Sequence, residues 1–355
     1  MIMEFRDWKL DEGLEDWLKD YFNEFNMDNE LDMMFVDEEI KWIKENGIHD
    51  KDTYLNAARK GRGRVKRVNR QQREKIYSIL ERYQSYQENE GTFDWGDVPN
   101  LLLAGIENGQ LTPEKYDAIL IDEAQDFAPM WIKIIKKLFN PQSTAIFIAD
   151  DPSQSIYRFY SWKEKGIPVV GRTRWLRIPY RNTRQIYRAA FSIIKDNQVL
   201  QDLFKQEGEL LTADVENEYM RDGEKPLIRR YSTFNKECIQ ITSAVRGLLQ
   251  KGVPEHQIAI LNPRKNNLDA LRRALGQNEL NVDTYFQFKG LEYKVVFLTQ
   301  INELFRESMD DDDLSKALRL VYMAMTRARE SLIIGYQQHL PNPLKPMLEY
   351  CNHIT

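Results

Sequence analysis

Hydrophobic residues recur along this chain in two patterns. In residues 14–45 and 70–107 they recur every three or four positions, as at Leu14, Leu18 and Phe22, and this spacing predicts amphipathic helices. From position 117 onward, short continuous apolar runs alternate with helical stretches, which is typical of buried strands in an α/β sheet. The chain is therefore expected to be helical first and α/β afterwards.

Two apolar runs that end in acidic residues give the first strand prediction. Residues 118–121 and 145–149 flank a helical stretch at 131–138, and this order predicts a right-handed strand–helix–strand unit of a parallel sheet. A second α/β unit is predicted further along. Its strands are expected at 226–231, 257–261, 282–286, 294–299 and 331–336, with helices at 235–250, 265–275 and 313–328.

Composition narrows the class of protein. The 355 residues are 42% hydrophobic and 30% charged, with a net charge of −5, which suits a globular chain with two or three cores. No apolar stretch reaches the ~18 residues of a membrane span, and the acidic amino terminus lacks the order of a secretory signal. Because Cys238 and Cys351 are the only cysteines, a disulfide framework and a cysteine-rich metal site are excluded. We expect a cytoplasmic protein with no membrane partner.

Charge is unevenly distributed along the chain. Residues 1–46 hold fifteen Asp and Glu against five Lys and Arg, whereas residues 59–75 hold nine Lys and Arg and one acid. The basic stretch has the charge needed to follow a phosphate backbone. It is equally well explained as the solvated face of a helix that docks on the acidic residues 1–46. Both interpretations stay open.

An acidic pair follows the first predicted strand. In nucleoside triphosphatases, a carboxylate at the carboxyl end of a buried strand helps to hold Mg²⁺, and the next one orients and deprotonates the attacking water. Asp122 and Glu123 stand in these two places. The pair alone is a weak signal, but DEAQD followed by a strand that ends in ADDPSQSIYR is a specific one.

Five segments resemble, in the family's order, motifs II to VI of the UvrD/Rep-type superfamily 1 DNA helicases. They are YDAILIDEAQDF at 116–127, IADDPSQSIYRF at 148–159, LRIPYRNTRQI at 176–186, TYFQFKGLEYKVVFL at 284–298 and LRLVYMAMTRARESL at 318–332. Residues 54–84 are similar to the helical subdomain that precedes motif II in smaller relatives. The resemblance implies an α/β fold with a RecA-like helicase core (the P-loop NTPase fold), whose first lobe is incomplete, and a helical subdomain.

The resemblance implies catalytic roles for five residues. Asp122 and Glu123 would hold Mg²⁺, and Glu123 would also be the general base. Gln154 would sense the γ-phosphate of ATP and couple it to the DNA side. Arg181 and Arg327 would place guanidinium charge on the transferring phosphate and so help to bind the nucleotide.

Further roles concern the ribose and single-stranded DNA. Glu292 would accept hydrogen bonds from the ribose hydroxyls. Tyr157 and Phe159 would stack on bases of single-stranded DNA, a contact worth roughly 1–3 kcal/mol per base, and Thr284 and Lys289 of motif V would also contact the DNA. The resemblance thus implies single-stranded DNA as a partner.

Several of these residues also have ordinary structural explanations. Out of context, Arg181 and Arg327 are explained as ion-pair partners, Tyr157 and Phe159 as core aromatics, and Glu292 as a surface carboxylate. Because all five motifs occur in the family's order, we expect these residues to occupy the positions that they have in the family. The motifs do not by themselves establish activity.

The family's first motif, the Walker A sequence GxxxxGK(S/T), has no counterpart in this sequence. Its backbone N–H groups, lysine and hydroxyl hold the phosphates and Mg²⁺. No Gly-Lys dipeptide occurs, and the glycine pair Gly61 and Gly63 lies in a basic helical context that does not follow a strand. Because phosphoryl transfer depends on positioning and electrostatics, the isolated chain is expected to hydrolyse ATP at the background rate. ATP and Mg²⁺ are therefore expected as cofactors only with a P-loop supplied in trans.

The expected organisation has five parts. They are an acidic helical leader (1–45), a helical subdomain (46–110), a partial first RecA-like lobe with motifs II to IV (111–204), a linker (205–224) and a second RecA-like lobe with motifs V and VI (225–355).

Three functional interpretations follow. In the first, a protein partner carrying the Walker A motif completes a split helicase or translocase, which moves 3′ to 5′ on single-stranded DNA as the family generally does. In the second, the chain is a non-catalytic DNA-binding or regulatory module; departures such as Phe286, where the family commonly has His, favour it. In the third, it is a fragment that has lost its first ~100–150 residues, which would expose a sheet edge.

Overall fold

The protein divides into two compact units. The computed structural model describes residues 9–11, 13–25, 31–58, 68–142, 145–155, 160–169, 172–206, 208–276, 280–306 and 309–354. The first unit holds the described residues up to Asp150 together with 160–168, and the second holds residues 151–155 and the described residues from Val169 onward. None of the described helices is long and apolar enough to cross a membrane.

The first unit begins with helices whose ends are capped by their own sequence. The helices are α1 (Leu14–Phe25), α2 (Met33–Asn46), α3 (Lys51–Asn56), α4 (Arg70–Glu90) and α5 (Val98–Glu107), and β1 (Lys9–Leu10) pairs in parallel with β2 (Thr92–Phe93). Asp32 caps α2 by accepting the Phe35 N–H at 3.0 Å, and Gly47 ends that helix in the left-handed region at φ 64°. Asn69 and Gln72 form a capping box at the start of α4.

A buried ion cluster lies between α2, α4 and the turn that follows β2. Lys44 Nζ lies 2.7 Å from Asp94 Oδ2 and 2.8 Å from Asp97 Oδ1. The Tyr83 hydroxyl donates to Asp94 Oδ2 at 3.1 Å. Since a buried charge is tolerated only when it is paired and hydrogen-bonded, these contacts specify how α2 and α4 pack.

The predicted strand–helix–strand unit follows these helices. It consists of β3 (Ala118–Ile121), α6 (Pro129–Lys137) and β4 (Ala145–Ile148). The strands pair in parallel, with Ile121 opposite Ile148, and this sheet has only two strands in the part of the chain that the structure describes. Parallel pairing places the carboxyl ends of both strands, with the acids that follow them, at one edge of the sheet.

The second unit is built on a six-stranded parallel sheet. Its strands are β5 (Leu227–Tyr231), β6 (Ile258–Asn262), β7 (Asn281–Thr284), β8 (Tyr293–Leu298), β9 (Ala328–Gln337) and β10 (Asn352–Ile354). They lie in the order β10-β5-β9-β8-β6-β7, and every neighbouring pair is parallel. The carboxyl ends of the six strands therefore meet at one edge, where open α/β sheets bind ligands.

Both faces of this sheet are covered by helices. The helices are α7 (Arg184–Ser192), α8 (Gln198–Gln206), α9 (Phe234–Gln250), α10 (Leu268–Leu275) and α11 (Asp311–Met325). Ala259 and Leu261 of β6 join the core that includes residues of α7, α8 and α11, whereas Ile258 and Ile260 join the core that includes residues of α9 and α10. Alternate residues of a strand point to opposite faces, so β6 is buried on both sides.

The boundary between the units lies earlier in the chain than the sequence analysis placed it. Residues 172–204, expected in the first lobe, belong to the second unit, because Ile186, Ala189 and Ala190 of α7 are buried in its core. The expected linker also packs on this unit, where the Arg184 guanidinium donates to the Val215 carbonyl at 2.9 Å.

One carboxyl is buried in the second unit. Glu237 of α9 has no exposed surface, and burial raises the pKa of its carboxyl to about 7. Its Oε1 accepts the Gln300 N–H at 3.2 Å, and a Cβ at residue 335 would lie 2.0 Å from the same oxygen. A side chain at position 335 would therefore force the Glu237 carboxylate to shift.

Replacing Lys44 by Met is expected to destabilise the first unit by about 3–5 kcal/mol, because it leaves Asp94 buried without its partner. Lys41→Met is the matched control, since Lys41 is half exposed and its ion pair with Asp37 contributes at most about 1 kcal/mol. Urea denaturation followed by hydrogen exchange of the α2 and α4 amides measures both changes. Equal effects of the two variants would contradict the role given to the buried cluster.

Glu237 is expected to make the second unit less stable as pH rises. Between about pH 4.5 and 7 the carboxyl ionises in the unfolded chain but stays protonated when folded, so wild-type stability falls by up to about 3 kcal/mol. Glu237→Gln removes this fall, whereas Glu349→Gln, at an exposed position, keeps it. Urea midpoints of the second unit at about pH 5 and about pH 8 test this. A wild-type pH profile identical to that of Glu237→Gln would be the contrary result.

Candidate functional site

The acidic pair of the first unit lies in the turn after β3. The Asp122 carboxylate is exposed, and its Oδ1 accepts the Glu123 N–H at 2.9 Å. Glu123 adopts the left-handed region at φ 51°, which is uncommon for a residue with a side chain and often marks a functional turn. Its carboxylate accepts a hydrogen bond from the Gln125 side-chain amide. Two carboxylates are thus presented at the carboxyl edge of the sheet.

Residues that the sequence analysis did not single out hold this turn in place. The Ala124 N–H donates to the Ala149 carbonyl at 3.0 Å, which ties the turn to the end of β4. The ammonium of Lys165, a buried residue, donates to the Ala124 carbonyl at 2.8 Å. Trp162 Nε1 donates to Asp150 Oδ2 at 3.0 Å. The role of Lys165 is visible only when the residues around it in the fold are known, and the sequence alone does not give those neighbours.

In the second unit the structure brings Gln154 to Arg327. Arg327 follows α11 and precedes β9, and it is only 2% exposed. Its Nη2 donates to Gln154 Oε1 at 2.6 Å, and the Gln154 amide donates to Asp151 Oδ2 at 2.7 Å. Motifs III and VI therefore share one hydrogen-bonded chain of side chains.

The Arg327 guanidinium is held by backbone carbonyls as well. Its Nε donates to the Met323 carbonyl at 3.0 Å, and its Nη1 donates to the Leu291 carbonyl at 3.1 Å. The carbonyl of Leu291 belongs to motif V, so this side chain links motifs III, V and VI. Multiple bonds to a buried guanidinium fix its position, as a preorganised phosphate contact requires.

Asn182 is a further residue that the sequence analysis missed. Its buried side-chain amide donates to the Thr326 carbonyl at 2.8 Å and to the Ala328 carbonyl at 2.6 Å. These two carbonyls flank Arg327, and Asn182 directly follows Arg181. Asn182 is therefore a positioning residue between motifs IV and VI. The signal in the sequence is the Asn that follows the tyrosine-arginine pair.

Arg181 and Glu292 form an ion pair with each other. Arg181 Nε lies 2.6 Å from Glu292 Oε1, and the arginine side chain is 63% exposed. An exposed pair of this kind contributes about 0–1 kcal/mol. The Arg181 side chain is therefore accessible to a ligand, whereas the Glu292 side chain is half-buried, at 29% exposure.

The candidate DNA contacts differ in accessibility. Thr284 ends β7 and is buried, whereas Lys289 is half-buried and Phe286 between them is 46% exposed. Tyr157 and Phe159 lie outside the described residues. So do Gly61, Gly63 and the rest of the basic stretch up to position 67. No geometry therefore bears on the stacking role of the two aromatics.

The donor set fits a Mg²⁺ ion that is held jointly with phosphates. Within the described ranges, no cluster of three or more His, Cys, Asp or Glu side chains is placed to hold a metal by itself. Mg²⁺ is commonly held by one or two carboxylates together with substrate phosphates and water. The exposed carboxylate of Asp122 and the carboxylate of Glu123 are the two that could hold such an ion.

Comparison with known families accounts for most of the chain. Residues 7–165 match the UvrD/REP helicase N-terminal domain, and residues 176–338 match an AAA domain. The two matches follow each other in the order expected from motifs II to VI. The RecA-like α/β fold expected from the sequence is thereby confirmed.

Two curated relatives agree with these matches. The chain is 24% identical over 251 residues to "Putative ATP-dependent DNA helicase YjcD" of Bacillus subtilis (strain 168). The aligned residues cover 67% of this chain and 31% of that protein. It is 25% identical over 155 residues to "Probable DNA helicase II homolog" of Mycoplasma capricolum, over 41% of this chain and 19% of that protein. The solved C-terminal domain of a possible DNA helicase from Lactobacillus plantarum WCFS1 is 17% identical, with a TM-score of 0.36, over 49% of this chain and 98% of that one.

The chain spans less than a third of the length of these two curated relatives. Its own sequence contains motifs II to VI in order and no GxxxxGK(S/T) sequence. The family matches, the parallel sheets and the pairing of Gln154 with Arg327 agree with one another. Residues 7–165 thus match the UvrD/REP helicase N-terminal domain, and the chain as a whole is similar to UvrD/Rep-type DNA helicases.

Proposed function

We propose that this chain is part of an ATP-driven motor that translocates on DNA, and that the phosphate-binding loop of the motor comes from outside these 355 residues. The observation that carries the proposal is the buried guanidinium of Arg327, bonded at 2.6 Å to the amide oxygen of Gln154. Further hydrogen bonds to the Met323 and Leu291 carbonyls fix this guanidinium in place, which is the arrangement that a preorganised phosphate contact requires.

The residues divide the chemistry between them. Asp122 and Glu123 would hold Mg²⁺ together with the nucleotide phosphates, and the ion would neutralise the charge that develops on them. The Glu123 carboxylate would accept a proton from the attacking water. Arg327, already fixed by its bonds to Met323 and Leu291, would donate to the transferring phosphate without further ordering.

Arg181 and Glu292 would exchange partners when nucleotide binds. Their ion pair is exposed and contributes little, so Arg181 can leave Glu292 for a phosphate, which accepts stronger charge-assisted hydrogen bonds. Glu292 is then free to accept hydrogen bonds from the ribose hydroxyls. Asn182 directly follows Arg181 and donates to the carbonyls of Thr326 and Ala328, so it would keep Arg181 close to Arg327.

Single-stranded DNA is the proposed track. Tyr157 and Phe159 would stack on bases, and Thr284 and Lys289 would contact the strand near the carboxyl end of β7. Movement from 3′ to 5′, a cytoplasmic setting and a protein partner that carries the Walker A sequence belong to the same proposal.

A non-catalytic module that binds single-stranded DNA is the second candidate. The exposed Phe286, where the family commonly has His, and the lack of a Gly-Lys dipeptide favour it. In that case DNA affinity would be indifferent to ATP and to the Glu123→Gln substitution. A change in DNA affinity on adding ATP and a P-loop polypeptide would exclude it.

The isolated chain is expected to hydrolyse ATP at the background rate, because its sequence has no GxxxxGK(S/T) loop to cradle the phosphates. Adding a separately purified polypeptide with the GxxxxGK(S/T) strand, loop and helix, taken from the reading frame beside this chain's gene, is expected to give DNA-stimulated hydrolysis. Glu123→Gln is expected to lower that rate by about 10²–10⁴-fold. Phosphate release with and without single-stranded DNA is the measurement. No stimulation with two folded proteins would refute the motor.

In the same mixture, Arg181→Ala is expected to reduce kcat by about 10³-fold or more, as the loss of an arginine that contacts the transferring phosphate does. Arg177→Ala is the matched control, because Arg177 is similarly exposed and lies 2.8 Å from its own carboxylate partner, Glu209. The control is expected to keep wild-type kcat. Steady-state kinetics compare the two, and equal losses would show that Arg181 acts only on stability.

A further inference from the structure

A row of four aromatic rings lies on the first unit, where side chains of α1 meet those of α4. Three of the residues follow each other at every fourth position of α1 and the last belongs to α4; they are Trp17, Tyr21, Phe25 and Tyr86. The ring centroids of Tyr86 and Trp17 lie 6.2 Å apart, those of Trp17 and Tyr21 5.2 Å apart, and those of Tyr21 and Phe25 4.6 Å apart. We call these four residues the aromatic row.

The aromatic row is accessible to solvent. Phe25 is 44% exposed and Tyr86 is 36% exposed, and the two rings between them are half-buried. The stripe of α1 that packs into the core of the unit is a different one, made of Leu14, Leu18 and Phe22. Since the core does not need these rings, a contiguous aromatic surface of this kind is typical of an interaction site.

One end of the aromatic row already holds a cation of its own chain. The guanidinium carbon of Arg82 lies over the rings of Phe25 and Tyr21, 5.2 Å and 5.7 Å from their centroids. A guanidinium within about 6 Å of a ring centroid is attracted to the negative face of the ring. Over the rings of Trp17 and Tyr86, in contrast, no lysine or arginine lies within the described ranges. The other end of the row is therefore open to a further cation.

Acidic side chains lie beside the aromatic row. Partial burial and the nearby charges of Asp11 and Glu90 raise the pKa of the Tyr86 hydroxyl, so two carboxylates lie close to the open end. On α1, two exposed carboxylates stand three residues after rings of the row and thus next to them on the helix surface; they are Asp20 and Glu24. A positively charged ligand is attracted to this surface, and a chain of phosphates is repelled by it.

We propose that the aromatic row binds an arginine-containing segment of a partner protein, with a guanidinium stacked on Trp17 and Tyr86 and paired with the carboxylates beside them. Arginine is the cation that combines both contacts, because its planar guanidinium stacks on rings and bonds carboxylates in a bidentate manner. Arg82 shows the stacked arrangement on the neighbouring rings. Trp, Tyr and Arg are also the residues that dominate binding energy at protein interfaces. The surface requires neither ATP nor a phosphate loop, so it is independent of the proposed motor.

Single-stranded DNA fits the aromatic row less well. Proteins that stack the bases of a single strand on aromatic rings place them in a positively charged groove. Here α1 contains four acidic residues and one lysine, and Lys19 is itself paired with Glu15 and Asp16. Phosphates would therefore meet net negative charge instead of the cations that bind them. The charge of the surface favours a basic protein segment.

Fluorescence anisotropy with labelled peptides and the full chain tests this proposal. The probes are a peptide of alternating arginine and glycine, the same peptide with lysine or glutamate in place of arginine, and an oligothymidylate of matched length. We expect the arginine peptide to bind at least about threefold more tightly than the lysine peptide, because a guanidinium stacks on rings better than an ammonium does. The glutamate peptide is expected not to bind. Equal binding of the arginine and lysine peptides would contradict recognition by stacking.

Removing a ring locates the binding site. Trp17→Ala is expected to raise the Kd for the arginine peptide at least about tenfold, and Tyr86→Ala, at a more exposed ring, is expected to do the same without a risk to folding. Tyr116→Ala is the matched control, since Tyr116 is 45% exposed in the same unit and lies outside the row. The control is expected to keep the wild-type Kd. Equal Kd values for Tyr86→Ala and the control would overturn the proposal.

Arg82→Gln distinguishes a basic peptide from a nucleic acid by the direction of the change. The substitution frees the rings of Tyr21 and Phe25 and makes the surface more negative, so the arginine peptide is expected to bind about three- to tenfold more tightly. A nucleic acid would lose a basic contact and bind more weakly. Unchanged or weaker peptide binding in Arg82→Gln would refute the proposal. So would an oligothymidylate affinity that falls in both Arg82→Gln and Tyr86→Ala, because it would identify the row as a nucleic-acid site.

Discussion

Parallel β-strands must be covered on both faces, and this constraint organises the whole chain. The second unit satisfies it, because six parallel strands are packed between α7, α8 and α11 on one side and α9 and α10 on the other. The first unit leaves Leu120 and Phe147 exposed on a two-stranded sheet in its described part. Its carboxyl edge nevertheless presents Asp122 and Glu123. Within the described part of the chain, the edge that presents this acidic pair therefore belongs to the less covered of these two sheets.

The second unit, in contrast, fixes one of the motif arginines through several hydrogen bonds. Arg327 is buried and bonded to Gln154, and Asn182 binds the carbonyls on either side of it. Such contacts fix a guanidinium before a ligand arrives, which is how charge stabilises phosphoryl transfer effectively. Arg181 is different, since its side chain is largely exposed and its ion pair is with Glu292. One arginine is thus buried and held by several hydrogen bonds, and the other is largely exposed in a single ion pair.

Much of this organisation could be predicted from sequence. The strands at Ala118–Ile121 and Tyr293–Leu298 are short apolar runs, and the family motifs identified their ends. Burial explains the composition of the second strand, whereas only Ile121 is buried in the first. The unit boundary could not be predicted, because the packing of α7 into the second core depends on contacts distant in sequence. Asn182 and Lys165 were missed for the same reason, since a polar residue has meaning only with its partner.

The place where the nucleotide phosphates are held decides whether this chain is one part of a split motor. Isothermal titration of Mg²⁺ and ATP into the isolated chain, and into the chain with its P-loop polypeptide, measures this without requiring turnover. The isolated chain is predicted to give no saturable heat up to about 1 mM ATP, and the combination to bind with a Kd in the micromolar range. Micromolar binding by the isolated chain would contradict the split motor, because it would show that these residues hold a triphosphate without the added loop.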